Sequence, residues 1–331
     1  MLVALAAFLG TAAVCHRLLP FPAIDNITPK LRFFAAHKDE WDTLFVGTSR
    51  FEHQLEPEIF DRQTARGGRP TRSFNLSVDG MHPPENFYVL EQILKEKPRH
   101  LKWIVLEFGD IESRPGKGAA DTRRFVYWHD WPRTSLVLRR IVNPTGNGRW
   151  YAKLFRAASH LRDCTTHLAA CAKNFSNLGR AAELLNPSDD QADWPAQLGP
   201  RADGFRPPRA PMPASRVADY QRKLEREISN AHPRFLDPYA EGSFRHYAAA
   251  FARLGAQAVF VVPPVATQSP LRFRPAPAPP GPLLLFNDIR AYPELYPAAI
   301  RVDEGHLSQA GADEWTRLFA REFIRHAGER R

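Results

Sequence analysis

Apolar positions along the chain fall into short runs that alternate with amphipathic stretches near both ends and lose that order in the middle. Leu44, Phe45 and Val46 form an apolar run halted by Gly47 and Thr48, the pattern of a short buried strand. A helical pattern follows over 56–61, so a first strand-helix repeat spans 42 to about 63 and closes in the loop 67–70. Residues 72–78 predict a second strand and 83–97 a helix with Phe87, Leu90, Ile93 and Leu94 on one face. Residues 102–108 predict a third strand. From 112 to 215 the periodicity dissolves: 136–142 and 150–172 read as helices, and 186–213 as a proline-rich excursion without a core of its own. Regular order returns with helices over 217–228 and 244–254, then strands over 258–262 and 283–286. A last helix from Ser308 to about His326 turns Trp315, Leu318, Phe319, Phe323 and Ile324 inward. Alternation at this pitch predicts an α/β fold: three layers, α/β/α, around a parallel, doubly wound five-stranded sheet with right-handed crossovers. The helical insertion, at about 113–215, would lie over the carboxyl edge of that sheet.

The first residues break the pattern differently. From Met1 to Val14 nearly every position is apolar, and the first charge is Arg17. Residues 1–22 are therefore expected to be a signal or anchor segment ahead of a domain over 23–331. The residue before Cys15 is large, which argues against lipoprotein cleavage and for an uncleaved anchor. The expected location is the outer face of a bacterial inner membrane, in the cell envelope.

Composition changes this picture little. Of 331 residues, 44% are hydrophobic, ordinary for a globular chain of one large domain. The net charge of +9 permits contact with anionic lipid or acidic polysaccharide. No basic run interleaved with aromatics supports nucleic acid as a partner. Cys164 and Cys171, seven apart in an unbroken helix, would be separated by about 10 Å, too far for a disulfide. No cysteine and histidine spacing matches a zinc site, so His53, His82 and His129 read as surface or turn histidines. The segment from Phe125 to Trp131 holds aromatic faces suited either to core packing or to stacking on sugar rings.

Two short stretches carry candidate chemistry. Ser49 follows the first strand, at the carboxyl edge where open α/β sheets place ligands, beside helix N-terminal amides that suit an oxyanion. A plain helix cap is the alternative reading of that serine. Near the other end, Asp303 stands three residues before His306, and a serine nucleophile needs such a base with an orienting acid. Glu107, ending the third strand, is expected to pair with an arginine.

Together these residues resemble the SGNH (GDSL-like) hydrolase superfamily. The similarity lies in Gly47-Thr48-Ser49-Arg50 and in Asp303-Glu304-Gly305-His306-Leu307-Ser308, and covers about 40–112 and 245–327. It implies that Ser49 is the nucleophile, His306 the general base and Asp303 its partner. The amides of Ser49 and Gly80 would form the oxyanion hole, Gly80 coming from Asn75-Leu76-Ser77-Val78-Asp79-Gly80-Met81. The third family block is Gly-x-Asn-Asp, whereas this chain has Gly109-Asp110-Ile111-Glu112. That departure looks like the membrane-linked branch containing cell-envelope polysaccharide O-acetyltransferases. The resemblance implies a small acyl group, acetyl, moved from or onto a carbohydrate oxygen, with no organic cofactor and no metal. It implies an acyl ester or carbohydrate substrate and a membrane acyl-donor partner protein. The competing expectation is a weakly catalytic envelope scaffold.

Overall fold

The computed structural model describes residues 1–18, 24, 26–116, 118, 120, 122–143, 150–176, 194–208 and 210–328. After two helices, α1 (Leu2–Leu18) and α2 (Thr28–His37), the first apolar run becomes β1 (Thr43–Val46). A one-turn helix α3 (Ser49–Glu52) and α4 (Pro57–Arg66) lead to β2 (Ser73–Asn75), and α5 (Glu85–Glu96) leads to β3 (Trp103–Glu107). The insertion contributes α6 (Arg123–Tyr127), α7 (Trp131–Val142), α8 (Trp150–Ser176) and α9 (Trp194–Leu198). Then come α10 (Ala214–Ser229), β4 (Arg234–Phe235), α11 (Pro238–Arg253) and β5 (Gln257–Val262). The chain finishes with β6 (Leu271–Arg272), β7 (Leu283–Leu285) and α12 (Gln309–Gly328).

The main sheet has the order β2-β1-β3-β5-β7 and every pairing in it is parallel. This is the expected three-layer α/β fold. Alternate strand residues feed two cores, as the two-residue period of a strand requires. Leu44, Val46, Ile104, Leu106 and Phe260 pack against α5 and α11. Phe45, Val105, Val259 and Leu284 pack against α4, α10 and α12. Because the chain passes from β1 outward to β2 and then back across to β3, the direction of winding reverses beside β1. Ser49 stands directly at that switch point, where such sheets open a crevice.

Several expectations need correction. Strand two is three residues rather than seven: its partner β1 ends at Val46, and past Asn75 the edge keeps only two further bonds of the parallel pattern (Leu76 N to Phe45 O, 2.9 Å; Val78 N to Gly47 O, 3.1 Å). The small parallel sheet of β4 and β6 was not expected, since two-residue strands have no readable period. The excursion 186–213 lies partly outside the described residues, but its last part does join the core. Leu198, Phe205 and Met212 are buried, and Asp203 O accepts from Asn75 N at 2.8 Å, covering the free edge of β2. His129 is buried as well, bonded to Phe125 O and, at 2.7 Å, to His167. Cys164 and Cys171 are free thiols. Among the described residues no helix is long and apolar enough to cross a membrane. On α1, Leu2, Leu5, Phe8, Leu9 and Val14 face solvent, and Ala12 is buried.

Candidate active site

The serine turn is held by groups that its own sequence does not contain. Thr48 caps α3, its hydroxyl accepting from Arg50 N at 3.3 Å, so Ser49 is the first residue inside the helix and not the cap. At that position no intrahelical carbonyl reaches the Ser49 amide. Buried Glu107, at the end of β3, takes Thr48 N at 2.6 Å on one carboxylate oxygen and Thr48 Oγ1 at 3.2 Å on the other. It also pairs with Arg50 at 2.6 Å, the arginine partner expected of it. So close an approach leaves no room at Gly47, where an added Cβ would lie 2.6 Å from Glu107 Oε2 and 2.8 Å from the Phe51 ring.

Some 250 residues later, the Asp303–His306 turn is built as tightly. Asp303 Oδ1 accepts from the amides of Gly305 (2.7 Å) and His306 (2.9 Å). Beneath the turn, fully buried Arg301 donates to the carbonyls of Asp303, Leu295, Pro264 and Glu304, with Tyr220 and Tyr296 against its guanidinium. Two links fix this turn relative to the serine. α12 buries Trp315, Phe319 and Phe323 against Phe51 and Phe60, each such side chain contributing roughly 1.5–3 kcal/mol. Thr316 Oγ1, on the same helix, donates to Gln54 O at 3.0 Å.

The result is a hydrogen-bonded series. Ser49 Oγ is 2.7 Å from His306 Nε2, and His306 Nδ1 lies 2.9 and 3.0 Å from the two oxygens of Asp303. Burial pushes the Asp303 carboxyl up, but the hydrogen bonds from the His306 ring and the two turn amides outweigh it and hold the group at about 2. An ionised carboxylate only accepts, so Nδ1 carries the proton and Nε2 of the neutral ring keeps its lone pair for the serine hydroxyl. The side chains of His306 and Asp303 are about one-third exposed (34% and 30%), so a substrate can reach them. Ser49, His53, Asp79, Gly80, Pro208, Val302, Asp303 and His306 line a cavity of about 320 Å³.

Gly80 has φ +69°, a left-handed backbone that side chains disfavour, and its Cβ position is open space. Asn75 fixes the approach to it, donating from its amide to Phe51 O (2.8 Å) and Leu55 O (2.9 Å) while its oxygen accepts Ser77 N. The third block contributes nothing to this cavity. Ile111 is buried in the core, and Asp110 instead binds Arg234 (2.6 Å) and the amide of Asp237 (2.8 Å), anchoring the start of α11.

A charge cluster beside the serine was not legible from sequence. Lys30, fully buried, donates to Glu52 Oε1 (2.9 Å), Ser77 O (2.6 Å) and Gly204 O (2.8 Å), satisfying all three ammonium protons. Glu52 Oε2 accepts Asp79 N at 2.7 Å. His53, expected on a surface or turn without companions, is half-buried, with Asp79 at 3.0 Å and Arg206 O at 2.8 Å. The one available signal was its place four residues after Ser49. Glu52, His53 and Asp79 bring three donor atoms within 4.8 Å of one another. They suit a metal poorly, because Lys30 and Arg206 (3.4 Å from Glu52, 3.8 Å from Asp79) already supply the positive charge. No family model and no curated protein matches the chain, which leaves the geometry of these side chains to carry the functional reading.

Proposed function

We propose that the protein is a serine-dependent acyltransferase or esterase of SGNH type that moves a small acyl group, acetyl, at an oxygen of a cell-envelope carbohydrate. The observation that carries this reading is the Ser49–His306–Asp303 series, open to the cavity and in the order that nucleophilic catalysis needs. Ser49 Oγ attacks the acyl carbon while its proton passes to His306 Nε2. The carbonyl oxygen becomes an oxyanion facing the amides of Ser49 and Gly80. Collapse breaks the bond to the donor oxygen, which takes the proton from His306, and leaves an acyl-serine. An incoming hydroxyl then gives its proton to His306 and attacks the acyl carbon, and collapse breaks the bond to Ser49 Oγ, which takes that proton back.

A neighbouring cavity of about 390 Å³ supports an acceptor larger than water. It shares Gly80 with the serine cavity and is lined by His82, Glu112, Arg114, Phe125, Trp128 and His167, among others. Aromatic faces with polar groups at their rim suit a sugar ring. The exposed apolar face of α1 supports attachment to a membrane surface, where a lipid-linked or membrane-protein acyl donor is at hand. A scaffold role has the third block in its favour, but it gives no reason for an aligned, solvent-open serine, histidine and carboxylate.

The test is release of p-nitrophenol from p-nitrophenyl acetate by the full chain and by Ser49→Ala. Slow turnover that vanishes in a folded Ser49→Ala supports the reading, and equal rates refute it.

A further inference from the structure

We infer that His53 is a fixed imidazolium whose charge, rather than any proton transfer, serves the Ser49 site. The inference deepens the acyl-transfer reading and rests on it. His53 follows α3 directly, four residues after Ser49, and lines the same cavity. Its Nδ1 faces Arg206 O at 2.8 Å and its Nε2 faces Asp79 Oδ1 at 3.0 Å, with Glu52 Oε2 a further 3.9 Å neighbour. A carbonyl and an ionised carboxylate can only accept, whereas a neutral imidazole has a single N–H to give. In the neutral ring one nitrogen lone pair would therefore point at an oxygen lone pair. Only the doubly protonated ring makes both bonds.

The groups around the ring agree with that charge. Burial lowers the His53 ring, but the bond to Asp79, the Glu52 charge and the Arg206 carbonyl raise it above its ordinary value. Asp79 is pulled down to about 2, chiefly by the bond from His53. Lys30 and Arg206 face Glu52 and Asp79 from α2 and from the end of the insertion. With His53 charged, these three cations oppose two carboxylates, and one positive charge is left over. Across the cavity stand Asp303 and His306, whose own charges pair off during catalysis.

That surplus sits next to Gly80, which directly follows Asp79 and is where the oxyanion would form. Neither Ile111 nor Asp110 faces that position, since Ile111 is buried in the core and Asp110 is bonded to Arg234 and to the amide of Asp237. Both N–H groups of His53 are engaged, so it is a positioning and electrostatic residue: it pins the Asp79–Gly80 turn and biases the cavity towards negative charge.

Nitrogen-15 NMR of the histidine rings in the full chain tests the charge directly. The expected pattern is His53 protonated on both nitrogens at pH 7, and a proton on His306 Nδ1, the nitrogen that faces Asp303. Kinetics on p-nitrophenyl acetate test the use of that charge. His53→Gln, which keeps a donor and loses the charge, should lower kcat about 10- to 100-fold with KM changed by no more than about twofold. It should also remove the alkaline fall in rate that His53 deprotonation causes in the parent. A neutral His53 ring at pH 7, or a folded His53→Gln with parental kcat, overturns the inference. Ser49→Ala separates the two levels, because parental turnover in that variant refutes the acyl-serine reading whatever the NMR pattern of His53. Should His53→Gln fail to fold, the spectrum of the parent chain decides.

Discussion

The cavity holds two aspartate–histidine pairs made of the same chemistry and used in opposite ways. In both, a carboxylate held at about 2 sits about 3 Å from one imidazole nitrogen. The other nitrogen decides the outcome. For His306 it meets the hydroxyl of Ser49, which can give up a proton, so the ring can act as a base. For His53 it meets the carbonyl of Arg206, which cannot, so the ring gains nothing by losing its own proton. A carboxylate beside a histidine therefore specifies no role by itself, and the third group in line does.

The largest effects should come from breaking the first pair. His306→Ala should lower turnover on p-nitrophenyl acetate by about a thousandfold or more, measured by p-nitrophenol release with stability checked by thermal melting. Asp303→Asn should also cost orders of magnitude in kcat with KM nearly unchanged, and the double variant should be little worse than the worse single one. Multiplying, independent losses would mean that the two do not form a relay.

A smaller effect should follow from breaking the second pair. Asp79→Asn removes the charge opposite His53 but keeps the turn, and should lower kcat by about tenfold. In the NMR spectrum its His53 ring should lose its second proton at a lower pH than in the parent chain. If His53 in Asp79→Asn titrates as in the parent, the carboxylate is not what holds the charge.

Gly80→Ala tests the turn that both pairs border. Forcing a side chain into φ +69° should cost roughly 1–2 kcal/mol of stability, read from a denaturant midpoint, and should lower the rate by displacing the amide. The pH dependence of stability should be the smallest effect, since both carboxylates are partly exposed. Asp79 and Asp303 are held below their unfolded values, so their contribution is present above about pH 4 and is lost as pH falls towards 2. His53 is raised, so its contribution is complete below its ordinary value near 6.5 and is lost as pH rises through the folded one. Denaturant midpoints should thus form a plateau between these limits, and Asp79→Asn should flatten its acid side.

The sheet and the first pair were legible because each rests on local sequence. Five apolar runs closed by glycine, proline or polar residues gave the strands, and Asp303 precedes His306 within one turn. The second pair was not, because His53 follows α3, Asp79 lies in the loop after β2, and Arg206, the third group in line, stands at the end of the insertion. Arg301 and Lys30 were hidden for another reason. Arg301 is surrounded by carbonyl oxygens, which are the same in every sequence, and Lys30 by two carbonyls and by Glu52, 22 residues away. The proline-rich tail of the insertion looked coreless since its few apolar residues have no period, yet Phe205 and Met212 are buried.

The central claim is that His306 makes the Ser49 hydroxyl a nucleophile, and active-site labelling with an alkyl fluorophosphonate tests it most directly. Attack by Ser49 Oγ on phosphorus expels fluoride and leaves a stable phosphonyl-serine that peptide mass spectrometry locates. The account predicts a single adduct on Ser49 in the parent chain, and its loss in a folded His306→Ala that still carries the serine. No adduct on Ser49, or equal labelling in both proteins, would contradict it.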